Sequence, residues 1–459
     1  MKKIVLGVAL LALSACSDPQ PNNPAVLNDA RSGGEATVAI TSLESFARPL
    51  PNLPIAELRD FTFGNKLFNT NWVIAPASVK SLDGLGPTFN RVSCSGCHIK
   101  DGRGRPPLSV DEPMNGMLVR LSVPGENETG GPKPHPHYGD QLQDKANPGI
   151  PAEGRVVIYY DEITGQFADG ELYSLRRPRY EFVEMAFCAV DDILFSPRVA
   201  NTVAGLGLLA MVPDSTIKKF AADNAQRSDA IRGRVNQVWD ATRQKTVIGR
   251  FGWKANAGSL QQQVADAAFG DIGLTSRFHP HNNCPSVQAE CANAWHTEEP
   301  ALSDTQLETL VFYAHTLAIP ARRSLDDRQV QRGAALFQKL ACSVCHRPSM
   351  TTGDSEIPAL AHQQIQPFTD FLLHDMGEEL ADGRPDFLAS GREWRTAPLW
   401  GIGLVKTVNR HTFFLHDGRA RNLEEAVLWH GGTATESRDG YKALPKKDRE
   451  ALLRFLESL

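Results

Sequence analysis

Long apolar runs are scarce in this chain of 459 residues. One stretch alone, M1-K-K-I-V-L-G-V-A-L-L-A-L-S-A-C16, has such a run, and it is too short to span a bilayer, so the composition is not that of a membrane bundle. A dominant charge is also missing. With 48 Lys+Arg against 53 Asp+Glu, the formal net charge is -5, and nothing marks a nucleic-acid partner. Neither C-x-x-C pair has a second pair nearby at zinc-site spacing, which disfavours a four-ligand zinc site. No acidic loop carries a strong calcium pattern. What is there, 41% hydrophobic and 22% charged residues, is the make-up of a folded soluble protein, long enough for two domains.

The first 15 residues join a short basic start to an apolar run and a small-residue ending, the pattern of an export signal. Leu13-Ser14-Ala15-Cys16 resembles a lipoprotein signal, so cleavage before Cys16 and lipidation of its thiol are expected. Residues 16–54, with several Pro and Gly and little apolar periodicity, are read mainly as a tether. The body is then expected in the periplasm, held by lipid to a bacterial membrane, the outer in preference to the inner.

Of the other cysteines, Cys284 and Cys291 share the polar loop HNNCPSVQAEC, and an oxidising compartment favours a disulfide between them. Cys188, in VEMAFCAVDD, reads as a buried structural thiol. The remaining four stand in RVSCSGCHIK and LACSVCH, each a C-x-x-C-H. Redox dithiols are a rival reading, but covalent haem fits better. Two residues between thiols, on about one helical turn, let both sulfurs reach the porphyrin vinyl groups while the adjoining His turns to the iron. Cys94, Cys97 and His98 are assigned to one c-type haem, and Cys342, Cys345 and His346 to a second.

The segments downstream of the two motifs repeat each other. After the second come EWRTAPLWGIGLV (393–405) and FFLHDGRARNLEEAVLWHGG (413–432); after the first, SPRVANTVAGLGLLA (196–210) and RFGWKANAGSLQQQVADAAFGDIGLT (250–275). Setting GLGL (205–208) on GIGL (401–404) and Leu260 on Leu423 makes each half a haem motif, a Gly-containing turn and a closing helix started by a Ser or Asn cap. In that register His430 falls opposite Ala267. The C-terminal iron is then capped by His346 and His430, while the N-terminal iron has no corresponding side chain. An open iron binds peroxide or oxygen; a doubly capped one mainly moves electrons.

The blocks SCSGCHIKDGRGRPP (93–107), HPHYGDQLQDKANPG (135–149), LLHDMGEELADGRPDF (372–387), EWRTAPLWGIG (393–403) and LHDGRARNLEEAVLWHGG (415–432) resemble the di-haem oxidoreductase family, within the bacterial dihaem cytochrome c peroxidase superfamily. The resemblance covers nearly the whole chain after the tether. It implies a sixth ligand for the C-terminal haem at position 430, here His430 and so bis-His; Met376 is the competing ligand, with Met350 behind it. It also implies a Trp between the haems, Trp253, a distal Gln ten residues on, Gln263, and a distal Glu ten residues further. That last position is Gly273, with Asp271 two residues earlier as a candidate substitute acid/base. Calcium between the domains is implied as well, without support from these residues. His135, His137 and Tyr138 are candidates to line or cap the first haem. Arg395 and Arg419 are candidate propionate partners, since guanidinium suits carboxylates.

The expected architecture is mainly α: two cytochrome c-like haem domains related by internal duplication, at 55–320 and 321–459, with a β-hairpin inserted over 153–185 in the first. The expected function is a periplasmic oxidoreductase in which electrons enter at the C-terminal bis-His haem and reduce peroxide or another oxidant at the N-terminal one. The alternative is a plain dihaem electron carrier or reductase serving a partner protein or iron uptake. Expected partners are a small cytochrome, a cupredoxin or an iron-uptake component. A dithiol oxidoreductase is disfavoured because haem consumes both C-x-x-C pairs.

Overall fold

The computed structural model describes residues 29–187, 190, 193–294 and 299–459. Cys16, the export signal, the tether up to residue 28 and Cys188 lie outside them. Six helices and four strands position the site. The helices are α1 (Ile55–Asn69), α2 (Leu260–Ile272), α3 (Asp304–Thr316), α4 (Arg328–Lys339), α5 (Leu423–Leu428) and α6 (Lys446–Ser458). The strands are β1 (Met117–Glu126), β2 (Arg155–Gln166), β3 (Leu172–Val183) and β4 (Leu194–Val199).

Side chains cap the helices where the sequence offers an oxygen. Ser259 accepts from the Gln262 amide at α2, Asn422 from Glu425 at α5, and Ser303 with Gln306 closes a capping box at α3. Two crossings repeat one device. In α1 a Cβ at Gly64 would lie 2.5 Å from the Tyr313 Cβ of α3; in α4 a Cβ at Gly333 would lie 2.0 Å from the Ala451 carbonyl of α6. Glycine lets each pair of backbones touch. One turn later Phe68 and Phe337 set their rings 6.2 Å and 6.3 Å from His98 and His346. The segments GNKLF and GAALF thus do the same work twice.

The mainly α expectation gives way. Helix accounts for 32% and strand for 20%, spread over seven small sheets of two or three strands among the described residues, and no cytochrome fold is established. The reason is physical: strands of two residues, such as Met350–Thr351 on Gln364–Ile365, are loops paired locally, too short to carry an alternation. The hairpin over 153–185 is present as β2 and β3, in register from Arg155↔Val183 to Gln166↔Leu172. It lies across the second half of the chain. Tyr180 donates to Asp417 Oδ2 at 2.9 Å, and Arg176 donates to the carbonyls of Arg419 and Gly418 at 2.9 Å and 3.0 Å.

The described part of the expected tether is packed. Phe46 and Leu50 are at most 1% exposed, and Thr37–Val38 pairs in parallel with Ile319–Pro320. Each hydrophobic core draws side chains from both sides of residue 320, Leu208 with Trp400 in one and Val119 with Phe455 in the other.

Candidate functional site

Both C-x-x-C-H segments fold alike. Cys94–Gly96 and Cys342–Cys345 each make one short helical turn, and the amides of His98 and His346 donate to the carbonyls of Cys94 and Cys342, both at 3.0 Å. The two histidines leave the turn with φ -100°, ψ 62° and φ -82°, ψ 66°. None of the four thiols is in a disulfide. Burial pushes Cys94, Cys97 and Cys342 up to about 12, so they are neutral thiols, poor candidates for dithiol exchange.

One cavity of about 460 Å³ receives both motifs. His98, His346 and His430 all stand on its wall. Each ring places Nδ1 against a backbone carbonyl: Asn201 at 2.6 Å, Phe368 at 3.0 Å and Ala426 at 2.7 Å. A carbonyl only accepts, so Nδ1 carries the proton and Nε2 keeps the lone pair that a metal takes. Burial holds the three imidazoles neutral, His346 down to about 4 with His430 close enough to contribute. Four thiols outside any disulfide, three such histidines and an apolar lining fit two covalently held haems.

At the first end, Gln263, Ala267 and Asp271 come from one face of α2, four residues apart, and all line the cavity. Burial raises the Asp271 carboxyl, and Arg120 beside it pulls the other way. A polar scaffold backs it. Gln141 Nε2 donates to Asp271 Oδ1 at 2.9 Å and to Asn90 Oδ1 at 2.6 Å; Gln143 donates to the Gly270 carbonyl at 2.8 Å; Glu153 accepts from the Gln143 amide and from Gln288, both at 2.6 Å. Position 273, where the resemblance asks for Glu, has φ +73°, and a Cβ there would sit 2.7 Å from Gly86 Cα and 2.8 Å from the Thr88 carbonyl. The chain leading into the first motif closes on that spot, so only glycine fits. His135, His137 and Tyr138 are not on the cavity wall; His135 is buried in its own turn, bonded to Gly139 through the backbone.

At the second end, His430 follows α5 and lines the cavity with Met376, while Met350 is buried in the core instead. Behind His346 the walls are aromatic: Phe337, Phe368 and Phe455 pack ring to ring at 5.2–6.1 Å. Sequence reasoning gave no role to His374 or His416, although both fall in blocks that carry the family resemblance. His374 Nε2 lies 2.9 Å from Asp370 and its Nδ1 3.6 Å from Cys345 Sγ; His416 stacks on Trp394 with centroids 3.7 Å apart. Among the described residues, Cys345, Asp370 and His374 form the one grouping of three metal-type ligands, and it is not the oxygen-rich set that calcium takes.

Between the ends, Trp253 lies on the wall, its Nε1 donating to the Val199 carbonyl at 2.9 Å. Arg395 also lines the cavity and donates to the Gly252 carbonyl at 2.8 Å. Arg103, which the sequence did not single out, stands over the Trp253 ring at 5.1 Å. Arg103 donates to the carbonyls of Phe413 and Leu415 and Arg395 to those of Gly252 and Thr396; burial lowers both to about 10, and neither has a carboxylate in ion-pair contact among the described residues, so both suit an anionic group in the cavity. Arg419 is different: it is off the wall, paired with Asp417 at 2.9 Å and held over Trp429 at 5.0 Å, so its charge is already met. Cys284 and Cys291 are joined as a disulfide beside the first end, in the loop that carries Gln288.

No curated protein and no solved structure matches the chain. A family model does, over residues 27–459, and with nearly the whole length matched the chain belongs to the family described as di-haem oxidoreductase, putative peroxidase.

Proposed function

We propose that the protein is a lipid-anchored periplasmic peroxidase with unequal haem sites, reducing peroxide at the Cys94–His98 end with electrons received at the Cys342–His346 end. The observation that carries it is the difference at the eighth residue after each cap: Ala267 lies within α2, His430 two residues past the end of α5, and both line the cavity. Cys94, Cys97 and His98 hold one haem; Cys342, Cys345, His346 and His430 hold the other. When bound, the haems supply one-electron redox centres, one of them with a ligand position left for an oxidant.

The chain's own residues do the rest. The carbonyls of Asn201, Phe368 and Ala426 fix the ligand tautomers. Arg103 and Arg395 meet the carboxylates that the cofactors bring, and Trp253 fills the wall between the motifs. Gln263 and Asp271 face the position that no histidine takes, and Asp271 is the group there able to hold and return a proton. The electron donor is a small one-electron carrier protein, and Cys16 carries the lipid.

Optical and electron-paramagnetic-resonance spectra of the purified holo-protein, fully oxidised and half-reduced, test this reading. One high-spin haem that binds peroxide is the expected result. Two low-spin, doubly ligated haems in both states would overturn it and leave an electron carrier.

A further inference from the structure

Arg91, Arg120 and Arg198 line the cavity without a task in the proposed function; Arg91 is committed to three backbone carbonyls and Arg198 to buried Asp386, which leaves Arg120. It projects from β1 onto the cavity wall, and its one ion pair, Nη1 to Asp140 at 3.3 Å, runs outward to a half-exposed carboxylate. Among the described residues no other partner takes its remaining N–H groups. A Cβ at Gly270 would lie 3.7 Å from Arg120 Nη1 and 3.4 Å from Gln141 Oε1, so the guanidinium and the amide flank the residue next to Asp271. Gln141 Oε1 is itself buried with no donor, while its Nε2 is committed to Asp271, Asn90 and Gly270. The first end therefore sets a spare set of donors and a carboxylate on the wall, with the unmet acceptor of Gln141 buried behind them. The second end also has a lining cation, Arg438 near His430, but its carboxylate, Asp439, is off the wall and no carboxylate of that end lines the cavity among the described residues.

Resting on the peroxidase reading, we infer that Arg120 and Asp271 act as a pair on a hydroperoxide, with Gln141 as the positioning residue that holds the carboxylate. The reaction consumes ROOH, two electrons and two protons and yields ROH and water. The O–O bond is the one that breaks. Asp271 takes the proton from one oxygen and delivers it to the departing one, while Arg120 donates hydrogen bonds to that departing oxygen as it gains charge. The electrons come singly from a reduced carrier protein. The pair also explains how the site works without a carboxylate at Gly273: a donor from β1 joins a shorter acid placed two residues earlier.

Fluoride and hydrogen peroxide, added separately to the oxidised holo-protein, test this inference. Fluoride needs a hydrogen-bond donor near its binding position and no base. Arg120→Leu is expected to weaken fluoride binding at least ~10-fold and to slow the peroxide reaction ~100-fold, with Arg120→Lys between it and wild type. Asp271→Asn is expected to slow peroxide equally while leaving fluoride affinity within about threefold. An unchanged spectrum of the second haem serves as the folding control for each variant. Should wild type react with peroxide while both Arg120 variants keep wild-type rates and fluoride affinity, the pair is wrong and the peroxidase reading stands. Should wild type ignore peroxide yet bind fluoride in an Arg120-dependent way, the donor site stands and the peroxidase reading falls.

Discussion

The two ends of the cavity share a backbone and differ in what stands behind it. At His98 and at His346 the turn, the carbonyl on Nδ1 and the phenylalanine at about 6 Å are the same. Behind the first lies a buried polar scaffold of Gln141, Gln143, Glu153 and Gln288; behind the second lie phenylalanines packed tilted and edge to face, a second histidine and a single buried polar pair, His374 with Asp370. Polar groups are buried at an energetic cost, which a site accepts when it must hold a proton or a donor in place. Apolar walls suffice where only electrons pass. Under the proposed function, identical anchors serve chemistry at one end and conduction at the other.

The comparison breaks most completely by giving the first end what the second has. If the proposed function holds, Ala267→His is expected to add a sixth ligand, convert the first haem from high to low spin and cut the peroxide rate constant ~100-fold or more, read by stopped-flow absorbance. The reverse change, His430→Ala, should remove low-spin character from the second haem only; if the spectrum does not change, the ligand is Met376. A smaller effect sharpens the contrast in backing. Burial raises Glu153 to about 8, so its stabilising contribution is full below the ordinary carboxyl range and is lost as pH rises through about 8. Glu153→Gln should therefore reduce the fall in Tm between pH 5 and pH 9, an effect on the order of 1–3 kcal/mol. Smallest of all, Arg177→Ala removes the exposed hairpin pair with Glu379 and should change stability by less than about 0.5 kcal/mol by urea titration, because the strap is held instead by Tyr180 and Arg176.

Much of this contrast was legible in the residues. The C-x-x-C-H motifs, the Ser259 and Asn422 caps and the hairpin carry local patterns, and the register of Leu260 on Leu423 was enough to set Ala267 against His430. The rest was hidden for identifiable reasons. Two-residue strands have no period to detect. The packed segment around Phe46 and Leu50 buries residues spaced without helical or strand rhythm. The G-x-x-L-F repeat escaped notice because Phe68 precedes its motif by 26 residues and Phe337 by five. Arg103 and Arg120 became visible only once a cavity assembled from residues between 68 and 456 set them beside Trp253 and Asp271. Arg419, in sequence a candidate propionate partner, is paired in the fold with Asp417, two positions away, a pairing that spacing alone does not reveal.

The contact between Gly86 and Gly273 has a consequence for anyone who would redesign or evolve this protein. A glutamate written into position 273 would not be accommodated, since the obstacle is main chain against main chain and no choice of rotamer relieves it. Accommodating it needs the strand entrance at 86–88 to move outward first, and that entrance is tied through Asn90 and Arg91 to the backbone of Asp271. Substitutions here are therefore coupled in order, loop before acid, and a search that changes one residue at a time would find the glycine immovable.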